Sequence, residues 1–461
     1  MSLVSGQPTT FPAPDRVKEL RFGAAELSPD GTVELEYQLD RSLRFVERIH
    51  VPVSAPLSGE LMARARPLVD LVHWVAGVSY FKAAVPPTIA YADLVPGPKT
   101  ARLLEALYSE GLGELAFENG IDLPRPKFPS ARSGPSTRAT VSPVAGEAGA
   151  GLLVPVGGGK DSVVAIEALR TTGERLTLFS VGTAQPIAET VAQAGLPWLH
   201  AFRRIDLQLL RYNAHGALNG HIPVTAVIAS VACLVAALNG HRAVVMANER
   251  SASSGNVHAF GIEVNHQFSK GLRAERLFRA ALTEAMPDLS YFSVLRGASE
   301  LAIARAFARL PQYHGAFTSC NAVFRLDEGR RAPSWCGDCP KCRFVFLALA
   351  PFMAPRELTS IFGERNLLDD PRQYEGFSLL AGVGGTKPFE CVGEADEAIA
   401  AFRLLAVDSG WRTTSVVRRF AEDVLPELRD DMGVPERVLA WSEDHEIPPS
   451  IAKHARLLLG A

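Results

Sequence analysis

From Leu152 onward, short uncharged runs alternate with longer amphipathic ones. LLVPV, TLFSVG and AVVMA have the length and the Leu/Val content of buried strands, whereas SVVAIEALR and TAVIASVACLVAAL read as helices. Strand, glycine turn, helix and strand in that order predict a doubly wound α/β sheet, parallel, with helices on both faces. The first segment has a different period. GTVELEYQL and RFVERIHVPV alternate apolar with polar positions, and Pro29-Asp30-Gly31 supplies a turn, so a small antiparallel sheet is expected. Helical patterns follow around residues 61–75, which Pro67 could interrupt, and around residues 100–110. The last stretch, 394–461, has helical periodicity and ends in IAKHARLLL.

Between these regions, residues 129–151 (PSARSGPSTRATVSPVAGEAGAG) lack large apolar side chains and read as a linker. The expected organisation is therefore a smaller β-rich α+β domain over 1–127, a linker over 128–151, the α/β domain over 152–355 and a mainly helical segment over 356–461. A chain of 461 residues with 47% apolar content can bury a core of this size. The formal net charge of −3 argues against a broad nucleic-acid footprint. The N-terminus MSLVSGQPTT has neither the basic nor the apolar region of a secretory signal, which points to a soluble cytoplasmic protein. Residues 222–238, IPVTAVIASVACLVAAL, are nearly long enough to cross a bilayer. Pro223 suits a first helical turn and Asn239-Gly240 a stop, with a strand directly after, so a core helix is expected and no membrane span.

The residues Gly157, Gly158, Gly159, Lys160, Asp161 and Ser162 lie between a strand and a helix. Glycines there allow positive φ and let backbone N–H groups converge on an anion, with the helix dipole behind them. Lys160 adds charge, Ser162 a hydroxyl, and Asp161 a carboxylate for Mg²⁺. The spacing is neither that of a Walker A loop nor GxGxxG. Pro155 within the preceding strand is an oddity, because it removes a ladder donor.

Cys320, Cys336, Cys339 and Cys342 are spaced Cys-x15-Cys-x2-Cys-x2-Cys, which suits a tetrahedral Zn²⁺ site better than disulfides. Cys233, on the apolar helix, reads as a small buried hydrophobe. Three polar groups follow the strand AVVMA: Asn248-Glu249-Arg250-Ser251, then Glu263, Asn265, His266, Ser269 and Lys270, then residues 296–300 (RGASE). Each taken alone could be a solvated loop. Further on, GGTKPFECVGE puts Cys391 close to Lys387, a cation that would favour its thiolate.

The loop GGGKDS resembles the SGGxDS signature of PP-loop (HUP-like) ATPases, with Gly157 in place of the usual first serine. The resemblance implies ATP cleavage to AMP and pyrophosphate, with the adenine meeting backbone near Phe179 and Val181. The stretch from Thr318 to Phe344 resembles the zinc segment of the 7-cyano-7-deazaguanine synthase branch. NERSASSGN, EVNHQFSK, CGDCPKC and KPFECVGE in this layout resemble the MurL family of muropeptide glutamate epimerases over nearly the whole chain. That resemblance implies ATP- and Mg²⁺-dependent conversion of the terminal L-glutamate of UDP-N-acetylmuramoyl-L-alanyl-L-glutamate to D-glutamate through an acyl adenylate. His266, Cys391 and Glu249 are candidates for the two-sided proton transfer, and Lys160 and Lys270 for stabilising phosphate charge. Two other readings stay open: a different PP-loop ligase (nitrile- or amide-forming), and a non-catalytic nucleotide- or tRNA-binding module.

Overall fold

The computed structural model describes residues 11–131, 151–324, 329, 331–428 and 434–460. Most of the expected linker, 132–150, lies outside them. The alternating first segment forms β1 (Glu19–Leu27), β2 (Thr32–Leu39) and β3 (Leu43–His50), paired antiparallel in sequence. The Pro-Asp-Gly turn joins β1 to β2, where Gly31 takes φ 84° and a Cβ would lie 2.4 Å from the Val51 carbonyl oxygen. β4 (Thr88–Tyr91) runs parallel to β1.

Beyond Gly151 come β5 (Leu152–Pro155), β6 (Leu176–Val181), β7 (Trp198–Arg204) and β8 (Ala243–Met246). The short hairpin β9 (Val257–Ala259) and β10 (Ile262–Val264) follows, and then β11 (Ser290–Ser293). Nine of these strands form one sheet in the order β11-β8-β5-β6-β7-β3-β2-β1-β4, and β9–β10 stands apart. The sheet is mixed and mostly parallel. Its two parts meet where β3 pairs antiparallel with β7, at Arg48↔Arg204, Ile49↔Arg203 and His50↔Phe202. A buried ion pair closes that seam, with Arg203 Nε 2.7 Å from Glu47 Oε1.

Both faces of the sheet are covered. Leu152 and Val154 of β5 join one core and Leu153 joins the other, as the alternation of a strand buried on both faces requires. The first core takes the helices Lys160–Arg170, Glu300–Phe307 and Pro340–Leu349; the second takes Gly59–Ala76, Val224–Leu238 and Leu272–Ala285. Helix Val224–Leu238 packs between the sheet and helix Gly59–Ala76, which explains its apolar circumference. Pro223 is the residue before this helix, not part of its first turn. No helix among the described residues is long and apolar enough to cross a membrane. After Ala354 the regular elements described are helices, ending with Pro449–Leu459.

Pro67 does not interrupt its helix: Gly59–Ala76 is continuous through it. An interior proline costs roughly 3 kcal/mol. The buried side chains Leu68, Val69, Leu71, Val72 and Val75 offset that cost, at roughly 1.5–3 kcal/mol for each fully buried large side chain.

Pro155 has a positional logic. The N–H groups of Leu152 and Val156 bond to Arg175 and Phe179 on the β6 side, so the donor missing at Pro155 is one that would face β8. Pairing of β5 with β8 stops at Leu153↔Val244, whereas β8 stays paired with β11 through Met246. The two central strands therefore part at their carboxyl ends. The chain leaves β5 for β6 and β7 on one side and returns to β8 and β11 on the other, so the gap opens at the topological switch point.

Candidate active site

The glycine loop sits in this gap. Gly158 has φ 80°, and a Cβ there would lie 2.7 Å from the backbone of Pro186; at Gly159 it would meet Ser319 Oγ at 2.7 Å. Gly157 faces open space. The Gly157 N–H donates to Ser162 Oγ at 3.0 Å, and the Gly158 carbonyl accepts from Thr318 N–H at 3.0 Å, turning away from the crevice. Helix Lys160–Arg170 starts directly behind the loop. A flat, side-chain-free surface at a helix N-terminus fits a phosphate chain. Phe179 is buried and its carbonyl accepts the Val156 N–H at 2.7 Å, while Val181 ends β6 beside the loop.

Lys160 is buried, with its ammonium 2.5 Å from Asp161 Oδ1 and hydrogen-bonded to Glu300. Burial alone would lower its pKa, but the charges of Asp161 and Glu300 outweigh burial and hold it above the usual lysine value. Asp161 is held below the ordinary carboxylate range: burial opposes this, and Lys160, Lys341 and Lys270 prevail.

The three polar groups downstream of β8 converge through Arg296. Its guanidinium bonds Glu275 Oε2 at 2.8 Å and the carbonyls of Glu249 and Lys270, the latter at 2.5 Å. Glu249 is thereby aimed at Asp161 and Glu300, and one ligand oxygen from each of the three lies within 4.8 Å of the others. Burial, then the Glu300 charge, pushes the Glu249 carboxyl up to about 7. Its Oε1 is buried without a hydrogen-bond partner. An orphaned carboxylate oxygen beside two others is a donor set that fits a hard divalent cation such as Mg²⁺.

A second focus lies at Cys391. Lys270 Nζ donates to its Sγ at 3.3 Å, His266 is a neighbour whose charge favours the thiolate, and Lys341 Nζ bonds the Cys391 carbonyl. The cation beside the thiol is therefore Lys270 and not the expected Lys387, whose own pKa is lowered, first of all by burial. Burial would raise the Cys391 pKa, yet Lys270, His266 and Lys341 bring it down to about 6. His266 Nδ1 lies 2.5 Å from Glu114 Oε2, and its ring is tilted by 38° against that of His221, at 4.1 Å between centroids. Burial works against a charged His266, but Cys391 and Glu114 raise its pKa to about 9. His221 falls to about 3 through burial and the neighbouring cations.

Sequence reasoning had singled out His266, Lys270, Cys391 and Glu249, and the fold gathers the first three around one sulfur, with Glu249 next along at the carboxylate cluster. Glu114, His221 and Lys341 were missed. Glu114 is one glutamate on a seven-residue helix, Gly113–Asn119, and no spacing flags it.

Next in the chain to residues that touch both foci, Cys320, Cys336, Cys339 and Cys342 bring their sulfurs within 4.8 Å of one another. Cys339 caps helix Pro340–Leu349, with its Sγ accepting from Cys342 N–H at 3.4 Å. Gly337 takes φ 75° between the Cys-x2-Cys partners, where a side chain would strike Arg365. Four converging thiols held by N–H···S bonds are a donor set that fits Zn²⁺ in a structural role.

Three proteins named UDP-N-acetyl-alpha-D-muramoyl-L-alanyl-L-glutamate epimerase are similar to this chain. That of Xanthomonas oryzae pv. oryzae is 43% identical over 446 residues, covering 96% of this chain and 97% of the relative. That of Salinispora tropica is 46% identical over 415 residues, covering 89% and 86%. That of a Micromonospora strain is 44% identical over 445 residues, covering 94% of each. No solved structure matches the chain. The protein is an enzyme, of the isomerase class to which these epimerases belong. Residues 12–294 match the MurL N-terminal domain and residues 316–433 the MurL C-terminal domain; the chain belongs to the MurL family.

Proposed function

We propose that the enzyme inverts the terminal glutamate of UDP-N-acetylmuramoyl-L-alanyl-L-glutamate from L to D, using ATP as co-substrate, to supply D-glutamate for peptidoglycan. The observation that carries this reading is the meeting of a phosphate-type glycine loop with a thiolate–imidazole pair in one crevice, joined by Lys270. Identity of 43–46% over 89–96% of the chain with named epimerases supports the substrate.

A free carboxylate resists loss of its α-proton, because a dianion would result. Attack of a carboxylate oxygen on the α-phosphorus of ATP expels pyrophosphate and leaves an acyl adenylate, in which that charge is gone. The α-proton can then be removed and another delivered on the opposite face. Water attacks the carbonyl and AMP departs, restoring the carboxylate. The residues 157–162 would cradle the phosphates, with Lys160 balancing their charge. Asp161, Glu249 and Glu300 would hold Mg²⁺, which supplies charge neutralisation when bound. The four-cysteine cluster would hold Zn²⁺ in a structural role, fixing the segments that carry Ser319 and Lys341.

The test is incubation with ATP, Mg²⁺ and the UDP-muramoyl-dipeptide, followed by chiral analysis of glutamate and assay of AMP. D-glutamate formed with AMP and pyrophosphate is the expected result. AMP without inversion would mean an adenylating ligase instead, and inversion without AMP would remove the adenylate.

A further inference from the structure

Glu114, His266 and Cys391 form a carboxylate–imidazole–thiolate line built from three remote stretches of chain. Glu114 comes from helix Gly113–Asn119, His266 follows β10, and Cys391 lies on the segment between helices Tyr374–Leu380 and Ala395–Val407. The first two lie in the matched N-terminal domain and the third in the C-terminal one. Each member is pinned. Gly113 lets the short helix close on β10, since a Cβ there would already be 3.1 Å from Val264 Cγ1. Asn256 accepts the His266 N–H at 3.0 Å and donates to the Pro388 carbonyl at 2.7 Å, tying the histidine to the segment that carries the cysteine. With Nδ1 engaged by Glu114, Nε2 is the ring nitrogen that remains free to face the neighbouring thiol.

The surroundings decide which way protons are shared. The groups facing Cys391 are Lys270 and His266 at the sulfur and Lys341 at the carbonyl, all cationic; behind His266 stand the anionic Glu114 and the neutral His221. A thiolate ringed by cations is stable near neutrality and still basic enough toward an acidified C–H bond. Removing Glu114 would leave the Cys391 thiolate as the remaining group that favours a charge on the buried His266.

We propose that Cys391 is the catalytic base that takes the α-proton of the activated glutamyl residue, and that Glu114 is a positioning residue that keeps His266 charged and aimed at the sulfur. This rests on the epimerase reading above. The Cα–H electron pair passes to the activated carbonyl as the sulfur gains the proton. Water protonates the opposite face of the α-carbon, and the hydroxide so formed takes the proton from the Cys391 thiol, which restores the thiolate while His266 stays charged. The α-hydrogen of the product is therefore of solvent origin.

Two experiments on the full chain test this. The first is independent of the reaction: alkylation of Cys391 by iodoacetamide, followed by peptide mass mapping from pH 5 to 9. The wild-type rate should rise with a midpoint near 6, and E114Q should move that midpoint up by about one unit. An unmoved midpoint overturns the role of Glu114, even if the epimerase reading stands. The second is turnover in D₂O. Wild type should give D-glutamate carrying α-deuterium. C391A, shown to be folded by circular dichroism, should still form AMP and pyrophosphate but lose deuterium uptake at least ~10²-fold. Deuterium uptake persisting in C391A overturns Cys391 as the base, and so does loss of AMP formation in the folded variant. If wild type itself forms no AMP with this substrate, the functional reading fails, while the alkylation arm still reports on the carboxylate–imidazole–thiolate line.

Discussion

Two corners of this molecule gather cysteine sulfur, and they do so in opposite ways. In the Cys320–Cys336–Cys339–Cys342 cluster, four thiols face one another and complete a metal-type shell. At Cys391 one thiol faces Lys270 and His266. The first arrangement is local in sequence, because three of its members fall within seven residues. The second is not, since Lys270 lies 121 positions from Cys391 and Glu114 lies 152 from His266. A spacing announces ligands that bind together. A reactive thiol depends on what the tertiary fold brings beside it.

The contrast can be broken at several points. The largest effect is expected in the cluster: with zinc held there as proposed, Cys336→Ser should release it and destabilise the fold by more than about 5 kcal/mol, because binding of a structural metal is folding energy. Denaturation followed alongside zinc content would check this, and unchanged stability after metal loss would contradict a structural site. Next comes Lys160→Met, which strands the buried Glu300 without its cation and should cost about 3–5 kcal/mol. A chemical-denaturation midpoint close to wild type would refute that pairing. The pH profile of inversion sharpens the other corner. Cys391 must be deprotonated, so activity should rise through about 6; His266 must stay charged, so it should fall through about 9. A profile with no descending limb would remove imidazolium from the mechanism. Smallest is Cys233→Ser, on the apolar helix where burial pushes the thiol up. It should cost about 1–3 kcal/mol for the buried hydroxyl and leave inversion unaltered. A loss of turnover at full stability would show that this thiol is not inert.

Much of the fold was legible, for identifiable reasons. LLVPV, TLFSVG and AVVMA are buried on both faces and so read as continuous apolar runs. β2 and β3 alternate cleanly because one face meets the core. β1 was harder: its register shifts between Phe22 and Ala25, around Gly23, and that irregularity interrupts its period of two. β7, WLHAFRR, is only partly buried and carries charged residues at its end, so no apolar run marked it. Pairing of β3 with β7 was invisible, because no local pattern encodes which edge a strand will meet. In the site, the glycine loop and the four cysteines could be read from spacing. Glu114, His221 and Lys341 could not, since their significance lies in burial and in partners far along the chain.

The join between β3 and β7 has a consequence for biosynthesis. His50 leaves the ribosome about 150 residues ahead of Phe202, its partner across the seam. At roughly 5–20 residues per second, the meander waits about 8–30 seconds with one side of β3 unpaired. An open strand flank is a template for pairing with another chain. The nascent protein therefore passes through an interval in which its first sheet is formed but unsealed. Slow translation between residues 50 and 204 would lengthen that interval and lower the yield of native enzyme.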